Sequence, residues 1–321
     1  MSDQTDSALP KTAISERLTY NGSGTELAIL MFKNLALTIL TLGIYSAWGR
    51  TNTRRYLWGQ ISFMGDRGAY TGTGRELFKG WMIVIGSYIA IYAGIFILKV
   101  IHPFLVIVSF PLFIYLFALA IYGGSRYRLS RTSWRGIRFG MEKNKASTKE
   151  FVILAFKNVA LIMVTLGFYA PYFQNNIRRF LINKARFGTA KFNFEGNNKD
   201  FFILFFTNIL LTMITLGFYG SWMAINLLKY KLENSNLEGS LKFKTHLSGK
   251  DLFIFSLIAY LATICTLGLA LPWVINRSMK LFVNSIELHG EIDFAHIQNI
   301  EASGNALGDV AVVEYDLDLG L

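Results

Sequence analysis

The chain has 321 residues and a formal net charge of +11, with 52% apolar and 17% charged residues. Soluble domains carry about 25% charged residues, so this composition argues against an ordinary soluble domain. The Lys and Arg residues cluster in loops directly after apolar runs, a pattern that favours a membrane protein and argues against nucleic acid as a partner. The single cysteine, Cys265, excludes a disulfide framework within the chain.

The two ends of the chain differ from its middle. Residues 1–20 are polar and contain no apolar h-region, which predicts a polar tail without a cleavable signal peptide. Residues 301–321 contain five acids and no Lys or Arg, which predicts a solvated acidic tail. Between the tails we expect a single membrane domain, residues 21–300, of about five repeat units, at residues 26–75, 76–149, 150–199, 200–250 and 251–300.

A Thr-Leu-Gly phrase closes a long apolar run in four of these units. Fixed spacing around a recurring phrase is typical of an internal repeat. An acid fifteen residues before each Thr predicts a helix N-terminus, and the Gly predicts a helix end. Pro171 and Pro272 predict that a second helix begins shortly after the break. The phrases stand at residues 41–43, 165–167, 215–217 and 266–268, and the acids are Glu26, Glu150, Asp200 and Asp251.

The second helix of each unit is amphipathic and basic, with the pairs Arg54-Arg55 and Arg178-Arg179 at matching positions. After it, a Gly is followed four residues later by a Phe within an alternating pattern, which predicts short strands outside the membrane. Such strands could pair into a small cap. The second unit diverges, because it holds two apolar segments, residues 77–98 and 103–122.

Two topologies fit the apolar segments. If each of the six long segments crosses the bilayer once, loop 174–200 with its six Lys and Arg residues lies on the unfavourable side. If the segments enter and return as helix-break-helix hairpins, every basic loop stays on the cytoplasmic side, and we favour this second topology. The expected fold class is a mainly α, polytopic membrane protein with internal repeats and short β-like extramembrane pieces between apolar helices.

The repeated phrases resemble those of the YjgN-like family of bacterial inner-membrane proteins, a domain of unknown function. The resemblance is carried by residues 34–48 and 54–58 and by the returns at residues 158–172 and 208–222, and it covers about residues 20–300. It implies a multi-pass protein of the bacterial inner (cytoplasmic) membrane. The family offers no established activity, so no catalytic residue follows from it.

Polar residues inside the apolar helices are the candidate functional residues. One hypothesis is that they line a polar pathway for a small solute or ion, since ionisable groups within a membrane often mark a pathway. The other is that the amides are hydrogen bonds between helices and that the lysines extend along their stems to the surface. These residues are Lys33, Asn34, Lys157, Asn158 and Asn208.

The basic pairs also allow two interpretations. Arg54, Arg55, Arg178 and Arg179 could contact anionic lipid headgroups, or they could serve only as topology anchors. The expected partners are therefore the lipid bilayer and its anionic headgroups.

We find no sequence signal for an enzyme, a cofactor or a metal. The four histidines lie in three loops without an H-x-x-x-H pattern, and residues 70–75 lack the full spacing of a phosphate loop. We therefore expect a membrane protein of unknown activity, a transporter or channel for a small solute or ion. The alternative is a lipid-binding or membrane-organising scaffold without catalytic activity, which would show a packed, dry centre.

Overall fold

The computed structural model describes residues 12–102, 104, 107, 109–142 and 145–299. Within them two helices followed by two strands recur along the chain. The predicted acidic tail, residues 301–321, lies outside the described residues. Part of the predicted polar tail is structured, because residues 12–20 form two strands.

The helices and strands have the following bounds. The helices are α1 Gly24–Leu40, α2 Ser46–Gly59, α3 Gly74–Ile101, α4 Ser109–Ser130, α5 Lys145–Val164, α6 Ala170–Lys184, α7 Asn198–Ile214, α8 Gly220–Glu233, α9 Gly249–Cys265 and α10 Leu271–Val283. The strands are β1 Thr12–Arg17, β2 Thr19–Tyr20, β3 Ile61–Phe63, β4 Asp66–Tyr70, β5 Thr132–Trp134, β6 Ile137–Met141, β7 Ala185–Phe187, β8 Ala190–Phe194, β9 Ser235–Leu237, β10 Leu241–Thr245 and β11 Ile286–Ile292.

The eleven strands of the described residues belong to one antiparallel sheet. Its order is β1-β11-β10-β9-β8-β7-β6-β5-β4-β3-β2. The two end strands, β1 and β2, are separated in sequence by Leu18 alone, whose N–H donates to Ile286 O at 3.0 Å. The ends of the sheet therefore meet, and the strands form a nearly closed ring.

The interior of this ring is filled with apolar side chains. One buried cluster draws members from β1, β3, β5 and β7 to β11. The segment after β11 adds Phe294 and Ile297 to the cluster, and the Phe294 ring lies 5.2 Å from Trp134 and 6.5 Å from Phe63, centroid to centroid. The centre of the ring is therefore a packed core rather than an opening.

The helices begin where sequence chemistry places them. The Ser23 hydroxyl caps α1, Thr73 and Glu76 form a capping box on α3, and Ser248 caps α9. The proline predictions are confirmed, since Pro171 and Pro272 lie in the first turns of α6 and α10. Glu150 differs from the prediction, because α5 begins at Lys145 and the acid lies beyond its first turn.

Consecutive units pack through a glycine and an aromatic ring. A Cβ added to Gly74 would lie 2.5 Å from the Trp48 side chain, and one added to Gly249 would lie 2.3 Å from Trp222. Gly24, at the start of α1, meets Trp273 of α10 in the same way. The aromatic residue seven positions after each turn threonine is therefore a contact between units, and the last unit packs on the first.

The predicted fold class, a mainly α polytopic membrane protein, is wrong. Among the described residues only α3, Gly74–Ile101, is long and apolar enough to cross a membrane. The physical reason is the Thr-Leu-Gly turn, which reverses the chain so that each of the four apolar runs that contain it becomes two arms of a hairpin. An arm of 17 residues is roughly 25 Å long, shorter than a bilayer core of about 30 Å. The β-like pieces are also larger than expected, because they join into one sheet.

The sheet shows where the basic loops lie within the molecule. Loops 50–79, 174–200 and 224–250 each carry strands of the same sheet. They therefore lie together at the strand end of the molecule, and the Thr-Leu-Gly turns lie at the far ends of the helix pairs.

Candidate functional site

Four helix hairpins end in exposed apolar turns, which we call the hairpin tips. The leucine of each tip has a φ of 49–50° and is 90–94% exposed. Left-handed backbone is unfavourable for leucine and easy for Gly or Asn. Backbone geometry therefore does not explain leucine at these positions. The four residues are Leu42, Leu166, Leu216 and Leu267.

The threonine of each tip joins the two arms. The Thr215 hydroxyl donates to Leu211 O at 2.7 Å and accepts from the Tyr219 N–H at 3.0 Å. Thr41, Thr165 and Thr266 make the same pair of hydrogen bonds. The hydroxyl thus satisfies a carbonyl at the end of the first arm and an N–H at the start of the second.

The buried asparagines bond within their own hairpins. Asn158 donates to Leu154 O at 2.6 Å and accepts from the Asn176 side chain at 2.9 Å. Asn208 repeats this arrangement with Leu204 O and Asn226. We call the Asn158–Asn176 and Asn208–Asn226 contacts the amide pairs.

The first hairpin uses its asparagine in a related way. Asn34 is buried, and its side chain donates to Gly49 O on the other arm at 3.2 Å. Lys33 and Lys157 precede Asn34 and Asn158 in sequence, but both lysine side chains are exposed. The asparagine contacts are hydrogen bonds of the kind that the second hypothesis describes. The polar pathway stays a prediction.

The last hairpin lacks both members of the amide pair. Ala259 and Arg277 each lie 51 residues after the paired Asn208 and Asn226. A groove of about 510 Å³ lies between α9 and α10, and Arg277 is exposed along it. The apolar part of the groove is lined by Ile254, Phe255, Ile258, Ala262, Trp273 and Val274.

The second arginine of each basic pair has an internal role. Arg55 donates to Gly72 O at 3.1 Å, and Arg179 donates to Gly196 O at 2.5 Å. Both carbonyls lie in the turn before the first helix of the next unit. These two arginines therefore brace consecutive units, a role that neither sequence interpretation included.

The first arginines of the pairs, Arg54 and Arg178, are half-buried. Burial lowers the pKa of Arg178 to about 10. Burial, together with the charge of Arg178, lowers the pKa of Lys231 on α8 to about 8. The surroundings of both cations thus disfavour their charge.

A cluster of two histidines and a glutamate was missed by the sequence reasoning. His289 Nε2 lies 3.0 Å from Glu287 Oε1, and His246 Nε2 contacts the other carboxylate oxygen. The hydrogen bond from His246 holds the pKa of Glu287 below its usual range. The ligand atoms of the three residues all lie within 4.8 Å of one another, so they could hold a metal ion.

A local sequence signal existed for only part of this cluster. Glu287 and His289 stand at alternate positions of β11, so both point to one face of the strand. His246 is 41 residues earlier than Glu287 and joins them through the pairing of β10 with β11. That register does not follow from a local motif.

Comparison with known proteins identifies relatives over much of the chain. The family model "Bacterial protein of unknown function (DUF898)" matches residues 15–207, 189–240 and 221–313. The "Inner membrane protein YjgN" of Salmonella typhimurium is 30% identical over 125 residues, which are 39% of this chain and 31% of that protein. The YjgN of Escherichia coli K12 is 28% identical over 156 residues, 48% of this chain and 37% of that protein.

The matches cover only part of the two relatives, which limits what can be inferred from them about this chain. The matched segments span about a third of the length of the two YjgN proteins. No solved structure matches the chain. The names of the relatives support localisation in the inner membrane. The family model covers most of the chain. The chain therefore belongs to the family of bacterial proteins of unknown function (DUF898).

Proposed function

We propose that this protein is a lipid-binding scaffold of the bacterial inner membrane whose four hairpin tips enter the apolar layer from one side. The exposed leucines of the tips carry this proposal. Each leucine occupies left-handed backbone that Gly or Asn would adopt more easily, and each is at least 90% exposed. Burial of these leucine side chains in lipid would remove their apolar surface from water, which lowers the free energy.

The strand end of the molecule would then lie at the membrane surface. The loops that carry the strands are the basic loops, and anionic headgroups attract Lys and Arg near the surface. Arg55 and Arg179 are engaged with backbone carbonyls of the next unit. Headgroup contacts would therefore fall to the other exposed cations of these loops rather than to those two guanidinium groups.

The packed centre also favours a scaffold over a conduit. The ring of strands is filled by Trp134, Phe63, Phe294 and their apolar neighbours. The buried side chains of Asn34, Asn158 and Asn208 are occupied by partners inside their own hairpins. A transporter or channel stays a prediction, and these contacts do not require one.

The groove between α9 and α10 gives the scaffold a place for one lipid. Its volume of about 510 Å³ falls in the range of small-molecule sites, roughly 300–1,000 Å³. Its walls are apolar except for Asp251 and Arg277, and Arg277 supplies a cation along it. We propose that an anionic lipid places an acyl chain between the arms and its headgroup at Arg277.

Cys265 offers a native probe of tip insertion, because it is exposed at the end of α9, beside the last tip. The protein would be labelled there with bimane and reconstituted into vesicles that carry doxyl quenchers at different acyl depths. Insertion predicts strong quenching by acyl-chain doxyls. A bimane on Lys242→Cys, made in the Cys265→Ser background at the exposed face of β10, should be quenched much less.

A matched variant separates insertion from folding. Replacement of Leu42, Leu166, Leu216 and Leu267 by Asn suits the left-handed backbone but removes the apolar side chains. We expect the fold to be retained in detergent and the Cys265 label to become shallower. Equal quenching of the label at Cys265 and of the label on Lys242→Cys, with the tip leucines in place in both proteins, would overturn the proposal.

A further inference from the structure

We propose that His246, Glu287 and His289 bind a divalent transition ion of the zinc class where β1, β10 and β11 meet, a place we call the seam. The seam joins the first strand of the chain to the last two. This inference is independent of membrane insertion, and it departs from the sequence analysis, which predicted no metal site.

Strand register brings the three residues to one face of the sheet. Glu287 and His289 are two residues apart on β11 and share a face. The His246 N–H donates to Ser285 O at 3.0 Å, so His246 lies opposite Ser285. Ser285 precedes Glu287 by two residues, which places the His246 side chain on the same face.

The three side chains form a donor set suited to zinc. Their ligand atoms lie within 4.8 Å of one another. Zinc binds imidazole nitrogen and carboxylate oxygen at about 2.0–2.2 Å, so two ligand atoms of one ion lie no more than about 4.4 Å apart. Small rotations of the side chains suffice to reach that spacing. Two imidazoles and one carboxylate favour zinc and its neighbours over magnesium or calcium.

Two residues of the neighbouring strand β1 contact ligands of the site. Ser15 Oγ lies 3.1 Å from His289 Nδ1, and a hydrogen bond from Nδ1–H would leave Nε2 as the metal-binding nitrogen. Arg17 Nε lies 3.5 Å from Glu287 Oε2 and orients the carboxylate. Ser15 and Arg17 pair in register with His289 and Glu287, so β1 is part of the site.

The surrounding charges set the strength expected of the site. Arg17 and Lys244 both pair in register with Glu287, and their positive charges oppose a cation. The site also supplies three protein ligands rather than four. We therefore expect weaker binding than in a closed structural zinc site. A bound ion would fasten β1 to β10 and β11 and stabilise the seam.

The test uses the full-length, tag-free protein in detergent, with Zn²⁺ as the titrant and the melting temperature as a second readout. We expect one Zn²⁺ per chain and a rise in melting temperature with Zn²⁺. The double variant His246→Gln and His289→Gln should bind more than tenfold more weakly and lose the thermal shift. The matched control replaces the two histidines outside the cluster, His102 and His296, and should behave as the unchanged protein.

A milder variant covers the case in which the double variant does not fold. Ser15→Ala leaves all three ligands in place and should weaken Zn²⁺ binding by roughly tenfold, because it removes the support of His289 and the hydrogen bond that the Ser15 hydroxyl donates to Glu287. Failure of the unchanged protein to bind Zn²⁺ would overturn the proposal. Equal loss of binding in the His102 and His296 control would overturn it as well.

Discussion

At the residue scale, most polar side chains within the helices are committed to local structure. The tip threonines, the paired asparagines and the arginines Arg55 and Arg179 each satisfy a particular backbone or amide group. Lys231 is different, because burial and Arg178 disfavour its charge. A residue of this kind makes the folded state sensitive to pH.

Lys231 predicts that stability rises with pH above neutrality. Its pKa falls from the ordinary 10.5 to about 8 in the folded protein. Between those two values the unfolded chain keeps a proton that the folded protein has lost, so raising the pH favours the folded state. We expect the melting temperature to rise from pH 8 to pH 10, and Lys231→Met to raise it at pH 7.

The control for this prediction is the exposed Lys250. Lys250→Met removes the same charge at the surface and should leave the rise between pH 8 and pH 10 in place. A Lys231→Met variant that retains the full rise would show that another group is responsible.

At the element scale, the hairpin is the unit that the sequence predicted best. The Thr-Leu-Gly break, three of the four acids at helix starts and the prolines at second helices all follow from local backbone chemistry, which a short window of sequence contains. The partners of Asn158 and Asn208 lie 18 residues later on the returning arm, so they depend on the hairpin being closed. The groove at Ala259 and Arg277 depends on the same closure.

The amide pair can be rebuilt in the last hairpin. The double variant Ala259→Asn and Arg277→Asn recreates the side chains of Asn208 and Asn226 between α9 and α10. A hydrogen bond of this kind adds about 0.6–1.5 kcal/mol, so we expect a higher melting temperature. Loss of the groove and of its cation should also reduce retention of phosphatidylglycerol, measured by native mass spectrometry.

The reciprocal change is the control. Asn208→Ala with Asn226→Arg should open a groove between α7 and α8, lower the melting temperature and increase retention of phosphatidylglycerol. Equal lipid retention in the two double variants and the unchanged protein would show that the groove does not hold a lipid.

At the scale of the whole molecule, the decisive feature is the ring of strands. The sequence predicted short strands that could pair into a small cap but not the order in which they pair, because alternation within five residues identifies a strand and says nothing of its neighbour. Each pairing between units joins segments that a helix hairpin separates in sequence. The metal-binding cluster and the packed centre follow from this ring, so neither could be predicted from local motifs.

The ring depends on β1, which contributes Ile14 to the apolar centre. Ile14 is 5% exposed, so Ile14→Ala should cost about 2–4 kcal/mol of stability. Glu16 lies on the same strand with an exposed side chain, and Glu16→Ala should change stability by less than about 0.5 kcal/mol. Thermal melts of both variants in detergent would test this, and equal losses would remove β1 from the core.

The position of β1 also bears on how the protein is made. Residues 12–17 leave the ribosome long before their partners at residues 287–292. Until then the nascent chain carries an unpaired strand edge, the kind of surface that invites wrong pairing. Hairpins built from neighbouring residues can form one by one during translation, whereas the closing contact has a long sequence separation and should form slowly. The contact between β1 and β11 is therefore made late in folding, and a nascent chain that stops before β11 lacks the strand that pairs with β1.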